Sequence, residues 1–234
     1  MSNLCLIPAR GGSKRIPRKN IKEFAGLPMI AHSIKAALAC EAIDRVVVTT
    51  DDQEIAEIAR AHGAETPFIR PAELANDHAA TVPVVAHAIQ TLHDSGAAFE
   101  YVCCLYATAP FATSAWLTDG LSKLKSRPQA SYAFTVAEFP SAVQRALRIR
   151  QDGTLESLYP EFALTRTQDL EPSFYDAGQF YWGRSEAWLA EMTIHGPHAV
   201  PLILASGGVV DIDTPDDWIR AELLYKVLKQ GDPT

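Results

Sequence analysis

The chain has 234 residues, 47% of them hydrophobic and 21% charged, enough for one sizeable core and too apolar for a disordered or collagen-like polymer. Lys and Arg number 21 against 28 Asp and Glu, a net charge of −7 that argues against general nucleic-acid binding. No apolar run approaches the roughly 20 residues of a bilayer span, and the start shows neither the basic region nor the cleavage site of a secretory signal.

Taken in chain order, Leu4–Ile7 is a short apolar run ended by Pro8 and predicts a buried strand. A glycine- and lysine-rich loop follows to Asn20. Met29, Ile30, Ile34, Ala37 and Leu38 then recur at helical spacing from about Pro28. Val46–Thr50 reads as a second strand, and Asp51-Asp52 ends it and can cap a helix over 53–61. Phe68-Ile69, Tyr101–Leu105 and Tyr132–Val136 are further apolar runs, mostly separated by helical segments. Cys5, Cys40, Cys103 and Cys104 lack C-x-x-C spacing; Cys103 and Cys104, adjacent in an apolar run, read as buried small hydrophobes, and the set fits a reducing cytoplasm.

Between about 138 and 172 the pattern loosens, with Pro140, Pro160 and Pro172 as punctuation. Gln151-Asp-Gly153 there is a tight-turn signal that can join 146–150 to 154–158 as a hairpin. This stretch is expected to leave the main sheet and to form an oligomer contact. Gln179–Trp182, a short helix near 184–192, Val209-Val210 and a last helix from Thr214 to about Lys229 complete the chain. Alternating strands and helices predict an α/β fold, a mostly parallel sheet with helices on both faces.

Two segments carry chemistry. Arg10, Lys14, Arg15, Arg18, Lys19 and Lys22 fall within one loop free of acids. Such a run can be a solvated basic surface. Following a strand, with Gly11 and Gly12 permitting close backbone approach, it can instead hold a phosphate: backbone N–H groups converge, lysines add point charge, and Arg10 grips bidentately. Neither G-x-x-x-x-G-K-[ST] nor G-x-G-x-x-G is present. The other segment is Val209–Trp218. Asp211 and Asp213 project to one side of an extended backbone, a donor pair suited to Mg²⁺ with phosphate oxygens and water. Thr214 reads as an N-cap, Pro215 as the first helical residue, and Asp216 and Asp217 as partners of the helix dipole. Asp211-Ile-Asp-Thr214 also resembles the motif of aspartate-nucleophile phosphatases, but too little chain remains after it to supply their lysine and further acids. His195-Gly-Pro-His198 suggests no third ligand.

The run Ile7–Asn20, with Arg70-Pro-Ala-Glu-Leu-Ala-Asn-Asp77 and Asp211-Ile-Asp-Thr214, resembles in order the three signatures of the acylneuraminate cytidylyltransferases. His78 adjoins the second of them. The resemblance implies a Rossmann-like nucleotidyltransferase domain over 1–234, with a dimerisation insertion at about 138–172. It implies that Arg10, Gly11, Gly12, Ser13, Lys14, Lys19 and Asn20 hold the CTP phosphates and adjoining nucleotide. Arg70, Thr81, Thr108 and Pro110 would line the nucleotide pocket, and Asp211 and Asp213 would bind Mg²⁺. Leu105-Tyr-Ala-Thr-Ala-Pro110 and Tyr175-Asp-Ala-Gly178 depart from the sialic acid synthetases and are similar to the branch acting on pseudaminic acid. Those segments make Tyr106, Gln179 and Tyr181 candidates for contacting the sugar, and Arg166 (or Arg145 or Arg148) a candidate partner for its carboxylate across a dimer.

The implied reaction is attack of the anomeric hydroxyl of a nine-carbon keto acid sugar, a nonulosonic acid, on the α-phosphorus of CTP, releasing pyrophosphate. Arg10, Lys14 and Lys19 would stabilise phosphate charge. The base is a metal-bound water or a carboxylate such as Asp211. Activation of legionaminic acid, N-acetylneuraminate or 3-deoxy-manno-octulosonate, and a non-catalytic nucleotide sensor, are the alternatives.

Overall fold

The computed structural model describes residues 2–76, 79–205 and 208–231. In chain order its elements are β1 (Ser2–Pro8), β2 (Glu23–Phe24), β3 (Leu27–Pro28), α1 (Met29–Leu38), β4 (Arg45–Thr49), α2 (Gln53–Ala61), α3 (Thr81–Asp94), β5 (Phe99–Leu105) and α4 (Ser114–Lys125). They continue as β6 (Tyr132–Glu138), β7 (Leu147–Ile149), β8 (Leu155–Ser157), β9 (Phe174–Arg184), α5 (Ser185–Leu189), β10 (Ala199–Leu204) and α6 (Pro215–Gly231).

Six strands form the main sheet in the order β10-β6-β9-β5-β1-β4. Strands β4, β1 and β5 pair in parallel, as do β10 and β6, whereas β9 runs antiparallel to both of its neighbours. The α/β expectation therefore holds with one reversed strand. The period-2 alternation explains how both faces come to be buried. Cys5, Ile7, Val46, Val48, Cys103, Phe180 and Trp182 point to one side, where residues of α1, α2, α4 and α6 cover them. Leu4, Leu6, Val47, Val102, Cys104, Phe134 and Tyr181 point to the other, under α3 and α5. Burial of each large aliphatic side chain contributes about 1.5–3 kcal/mol. Trp182 and Trp188 are fully buried, and their indole N–H groups donate to the carbonyls of Leu117 at 2.9 Å and Val102 at 3.1 Å. All four cysteines are buried free thiols.

Three local readings are settled by the structure, the first of them as a correction. Phe68-Ile69 forms no strand; only Glu65 bridges to Val47. Val209-Val210 is buried loop, and the last strand is β10, ten residues earlier, whose Pro201 obscured it. That proline is tolerated because β10 lies at the sheet edge, where a missing N–H costs no ladder bond. The hairpin expected within the irregular stretch is present as β7 and β8.

The reversal of β9 has a consequence for ligand binding. It puts the first residues of that strand at the same sheet edge as the C-terminal ends of β1 and β5, the edge where open α/β sheets place their ligands.

Candidate active site

At that edge lies a cleft of about 330 Å³. The loop after β1 supplies Arg10, Ser13, Lys14, Arg15, Ile16, Lys19 and Asn20, the segment before α3 supplies Arg70, Leu74 and Asn76, and Thr81, Tyr106, Thr108 and Asp213 complete the wall. The amino-terminal cations and a carboxy-terminal acid therefore share one site, although they lie nearly 200 residues apart.

The basic loop is held by specific contacts. Asn20 is buried and donates from Nδ2 to the Arg10 carbonyl at 3.0 Å, closing the loop on itself. Arg18, at φ +54°, reaches across to Asp52 at 2.5 Å and also to Glu54, tying the loop to the start of α2. The same Asp52 caps α2 by accepting from the Ile55 N–H at 3.0 Å. The Arg18 guanidinium holds the Asp52 carboxyl below the usual carboxylate range. Gly11 is required by this junction, because a Cβ there would stand 2.5 Å from Asp52 Oδ2. Its N–H donates to Asp51 at 3.1 Å, and neither Gly11 nor Gly12 lines the cleft. The cleft wall at this loop is formed by side chains, and Gly11 serves a close loop–helix contact.

Arg70 is the deepest of these cations, only 4% exposed. Asp51 lies 3.7 Å away and Nε has no hydrogen-bond partner, so a buried guanidinium faces the cleft with donor capacity unspent. Burial lowers its pKa, yet an arginine stays charged. The N-terminus of α3 opens beside it without a side-chain cap, adding positive dipole.

Opposite stands Asp213; Asp211, two residues before it, is exposed and does not line the cleft. Ile212 is fully buried between Asp211 and Asp213, so the two carboxylates lie on the outward side of an extended backbone, as their spacing predicts. Lys19 donates to the Ile212 carbonyl at 2.5 Å and approaches Asp213 at 3.3 Å; Arg15 meets Asp213 at 3.0 Å. Asp211 rests against Gly178, whose φ of +61° turns the start of β9 beneath it; a Cβ there would come within 3.3 Å of its carboxyl. Crowding and then the like charge of Asp213 raise the Asp211 carboxyl above its ordinary range, although its outer edge is exposed. Two hard oxygen donors that repel one another fit a divalent cation such as Mg²⁺. The helix after them begins with a capping box: Thr214 Oγ1 accepts from the Asp217 N–H at 3.2 Å, and Asp217 accepts from the Thr214 N–H at 2.9 Å. Those residues are thus accounted for by the helix.

Several of the other expected residues do not line this cleft. Pro110 lines a separate apolar cavity with His32, Phe111, Trp116 and Tyr225, because the turn after Tyr106 carries the chain away from the cleft. Gln179 is fully buried and donates to the Ala177 carbonyl at 2.8 Å. Strand alternation does put it on one face with Tyr181, but that face is covered. Tyr181 is also buried, and its hydroxyl donates to Asp176 at 2.8 Å. Arg166 pairs with Asp169 at 2.8 Å, Arg148 with Glu156 at 2.8 Å, and Arg145 donates to the carbonyls of Phe162, Ala163 and Thr165. None of the three lines this chain's own cleft. Asp77 and His78 lie outside the described residues. Sequence reasoning missed Arg15 as a partner of Asp213, and Asp51 as the acid beneath Arg70; the adjacency of Asp51 to a strand end was the available signal.

Residues 4–151 match the family described as Cytidylyltransferase. The chain is 43% identical over 227 residues to a pseudaminic acid cytidylyltransferase of Campylobacter jejuni, covering 97% of each. It is 28% identical to a CMP-N,N'-diacetyllegionaminic acid synthase of Legionella pneumophila, covering 99% of each. Among solved structures it is similar to a CMP:2-keto-3-deoxy-manno-octonic acid synthetase complexed with CTP, with TM-score 0.73 and 18% identity over 97% of this chain and all of that one.

Proposed function

The chain belongs to the cytidylyltransferase family, and from that premise we propose that it couples CTP to pseudaminic acid, giving a CMP-sugar and pyrophosphate. The observation that carries the reading is the meeting of Lys19 with Ile212 and Asp213, which joins the cationic loop to the acidic segment at one cleft. The relatives at 43% and 42% identity carry that activity by name over nearly the whole chain, which favours pseudaminic acid over legionaminic acid or N-acetylneuraminate.

In this reading the anomeric hydroxyl attacks the α-phosphorus: the bond from the sugar oxygen to phosphorus forms, the bond to the departing pyrophosphate oxygen breaks, and the hydroxyl proton passes to water or to a carboxylate such as Asp211. No side-chain nucleophile is needed; positioning and charge stabilisation carry the rate. Arg10, Lys14, Lys19 and Arg70 face the phosphates, with Ser13 and Asn20 shaping the loop, Thr81 and Thr108 on the nucleotide wall and Tyr106 toward the acceptor. Asp211 and Asp213 hold Mg²⁺, which when bound neutralises triphosphate charge and orients it. The test is pyrophosphate release from CTP with a panel of nonulosonic acids, with and without EDTA. Release with pseudaminic acid, abolished by EDTA, is expected. CTP binding with no release for any sugar acid would instead favour a sensor.

The same reading makes the stretch 138–172 a dimer contact. A two-stranded hairpin is marginal alone, and β7 and β8 expose Leu147 at 59%, Ile149 at 74% and Leu155 at 62%. Burying such a surface against a second copy supplies what the hairpin lacks, and would place the partner's insertion arginines near the acceptor. Ile149→Asp is expected to halve the mass measured by light scattering. A wild-type chain that is already monomeric at micromolar concentration would remove the dimer from the account.

A further inference from the structure

The first half of β9 contains a bulge that supports one of the two acids. Ladder pairing joins Val136 to Asp176 and Phe134 to Tyr181, so Thr135 alone on β6 stands opposite residues 177–180 of β9. Extra residues on one strand leave the ladder and re-aim the chain locally. Asp176 and Tyr181 are the two ends of this bulge, and they are stapled together: the Tyr181 hydroxyl donates to Asp176 Oδ2 at 2.8 Å. His195 Nε2 lies 3.0 Å from the same oxygen, and because a carboxylate can only accept, the histidine donates there. Its ring is set edge-on to Phe134, with centroids 5.1 Å apart, which steadies it beside the staple. Inside the bulge, Asp176 Oδ1 accepts from the Gly178 N–H at 2.9 Å, and Gln179 Nε2 donates to the Ala177 carbonyl at 2.8 Å. The Gln179 carbonyl accepts from the Tyr106 N–H at 3.0 Å, tying the bulge to the end of β5.

What these ties fix is Gly178. It is buried, and its φ of +61° is one that a side chain would strain. A Cβ built on it would lie 3.3 Å from Asp211 Cγ and 3.4 Å from each of the two carboxyl oxygens. Three nearly equal distances mean that the flat face of the carboxylate lies on the glycine. The oxygen lone pairs lie in the carboxylate plane, so a face contact fixes the group while leaving those lone pairs available to a cation. Mg²⁺ demands near-ideal octahedral geometry, so tenths of an ångström in the place of a ligand count.

We propose that Asp176, with Tyr181 and His195, is a positioning residue for the cation: it holds the β9 bulge so that Gly178 seats the Asp211 carboxylate where a divalent ion needs it. The inference rests on the reading of Asp211 and Asp213 as ligands of that ion, and it deepens that reading by naming what supports one of them.

The test reads the grip on the cation without turnover. CTP binding is measured by calorimetry with no sugar acid present, once in EDTA and once in saturating Mg²⁺, and the ratio of the two dissociation constants is compared among variants. Asp211→Asn sets the value for a lost ligand. Gly178→Ala, whose Cβ displaces the carboxylate, is expected to lower the ratio about tenfold or to the Asp211→Asn value, with CTP affinity in EDTA within about twofold of wild type. Asp176→Ala, which removes the acceptor of the Gly178 N–H and opens the staple, is expected to do the same, and Tyr181→Phe to do so by a smaller factor. Asp176→Asn keeps an oxygen for the Gly178 N–H and is expected to restore the ratio to within about threefold of wild type. Unfolding midpoints are measured alongside, and Asp176→Ala and Tyr181→Phe carry the test if Gly178→Ala does not fold. A wild-type ratio in folded Gly178→Ala or Asp176→Ala, while Asp211→Asn lowers it, would overturn the proposal and leave the metal reading intact. An unchanged ratio in Asp211→Asn would overturn both.

Discussion

Lys19→Ala is expected to lower kcat/KM by at least tenfold, and by as much as the 10²–10³, about 2.7–4 kcal/mol, that loss of one preorganised electrostatic contact costs at comparable centres. The reason is position. Lys19 is the loop cation whose contacts reach the acidic segment through both a backbone carbonyl, Ile212 at 2.5 Å, and a carboxylate, Asp213 at 3.3 Å. Its side chain is only 17% exposed, so its charge acts where water screens it little. The fold is expected to survive, because Asp213 keeps Arg15 at 3.0 Å and the loop keeps its Asn20 and Arg18 ties. Activity and the thermal unfolding midpoint are read together. Near-normal turnover in a folded variant would remove Lys19 from the catalytic set, and a large fall in the midpoint would make it a structural tie between the two segments.

What was legible in the sequence was local or periodic. The β1 strand ends at a proline, Asp52 caps α2, and the capping box of α6 comes from Thr214 and Asp217 three residues apart. The outward projection of Asp211 and Asp213 comes from alternation about Ile212. What was not legible depends on which elements become neighbours. Nothing in Phe174–Arg184 says that β9 runs against its neighbours, and that reversal is what brings Asp176 and Gly178 to the cleft edge. Gln179 reads as a polar residue on a strand and so as a ligand contact, but it is fully buried and donates to the Ala177 carbonyl. The insertion arginines read as free cations, although each has carbonyl or carboxylate partners within the insertion itself. Asp176 and His195 are 19 residues apart with no shared motif. Their pairing arises because the loop after α5 returns along Phe134 on its way to β10.

Asp211→Asn is expected to cost about a hundredfold or more in kcat and to weaken the dependence on Mg²⁺, whereas Asp216→Asn is expected to have little effect. The two acids lie in one short segment but in different environments. Asp216 is exposed in the first turn of α6, where an acid is accounted for by the helix dipole. Asp211 is pressed against Gly178 near Asp213, and burial first and then that like charge raise its carboxyl above the ordinary range. The amide substitution keeps the shape and removes the charge, so packing on Gly178 is retained and the protein is expected to be at least as stable as wild type without metal. Direct titration of Mg²⁺ by calorimetry in the presence of CTP separates this from a simple loss of turnover. Weaker cation binding in Asp211→Asn with unchanged CTP binding in the absence of Mg²⁺ is the expected pattern. A variant that binds Mg²⁺–CTP as wild type does, yet turns over slowly, would move Asp211 from holding the cation to handling the proton of the acceptor hydroxyl.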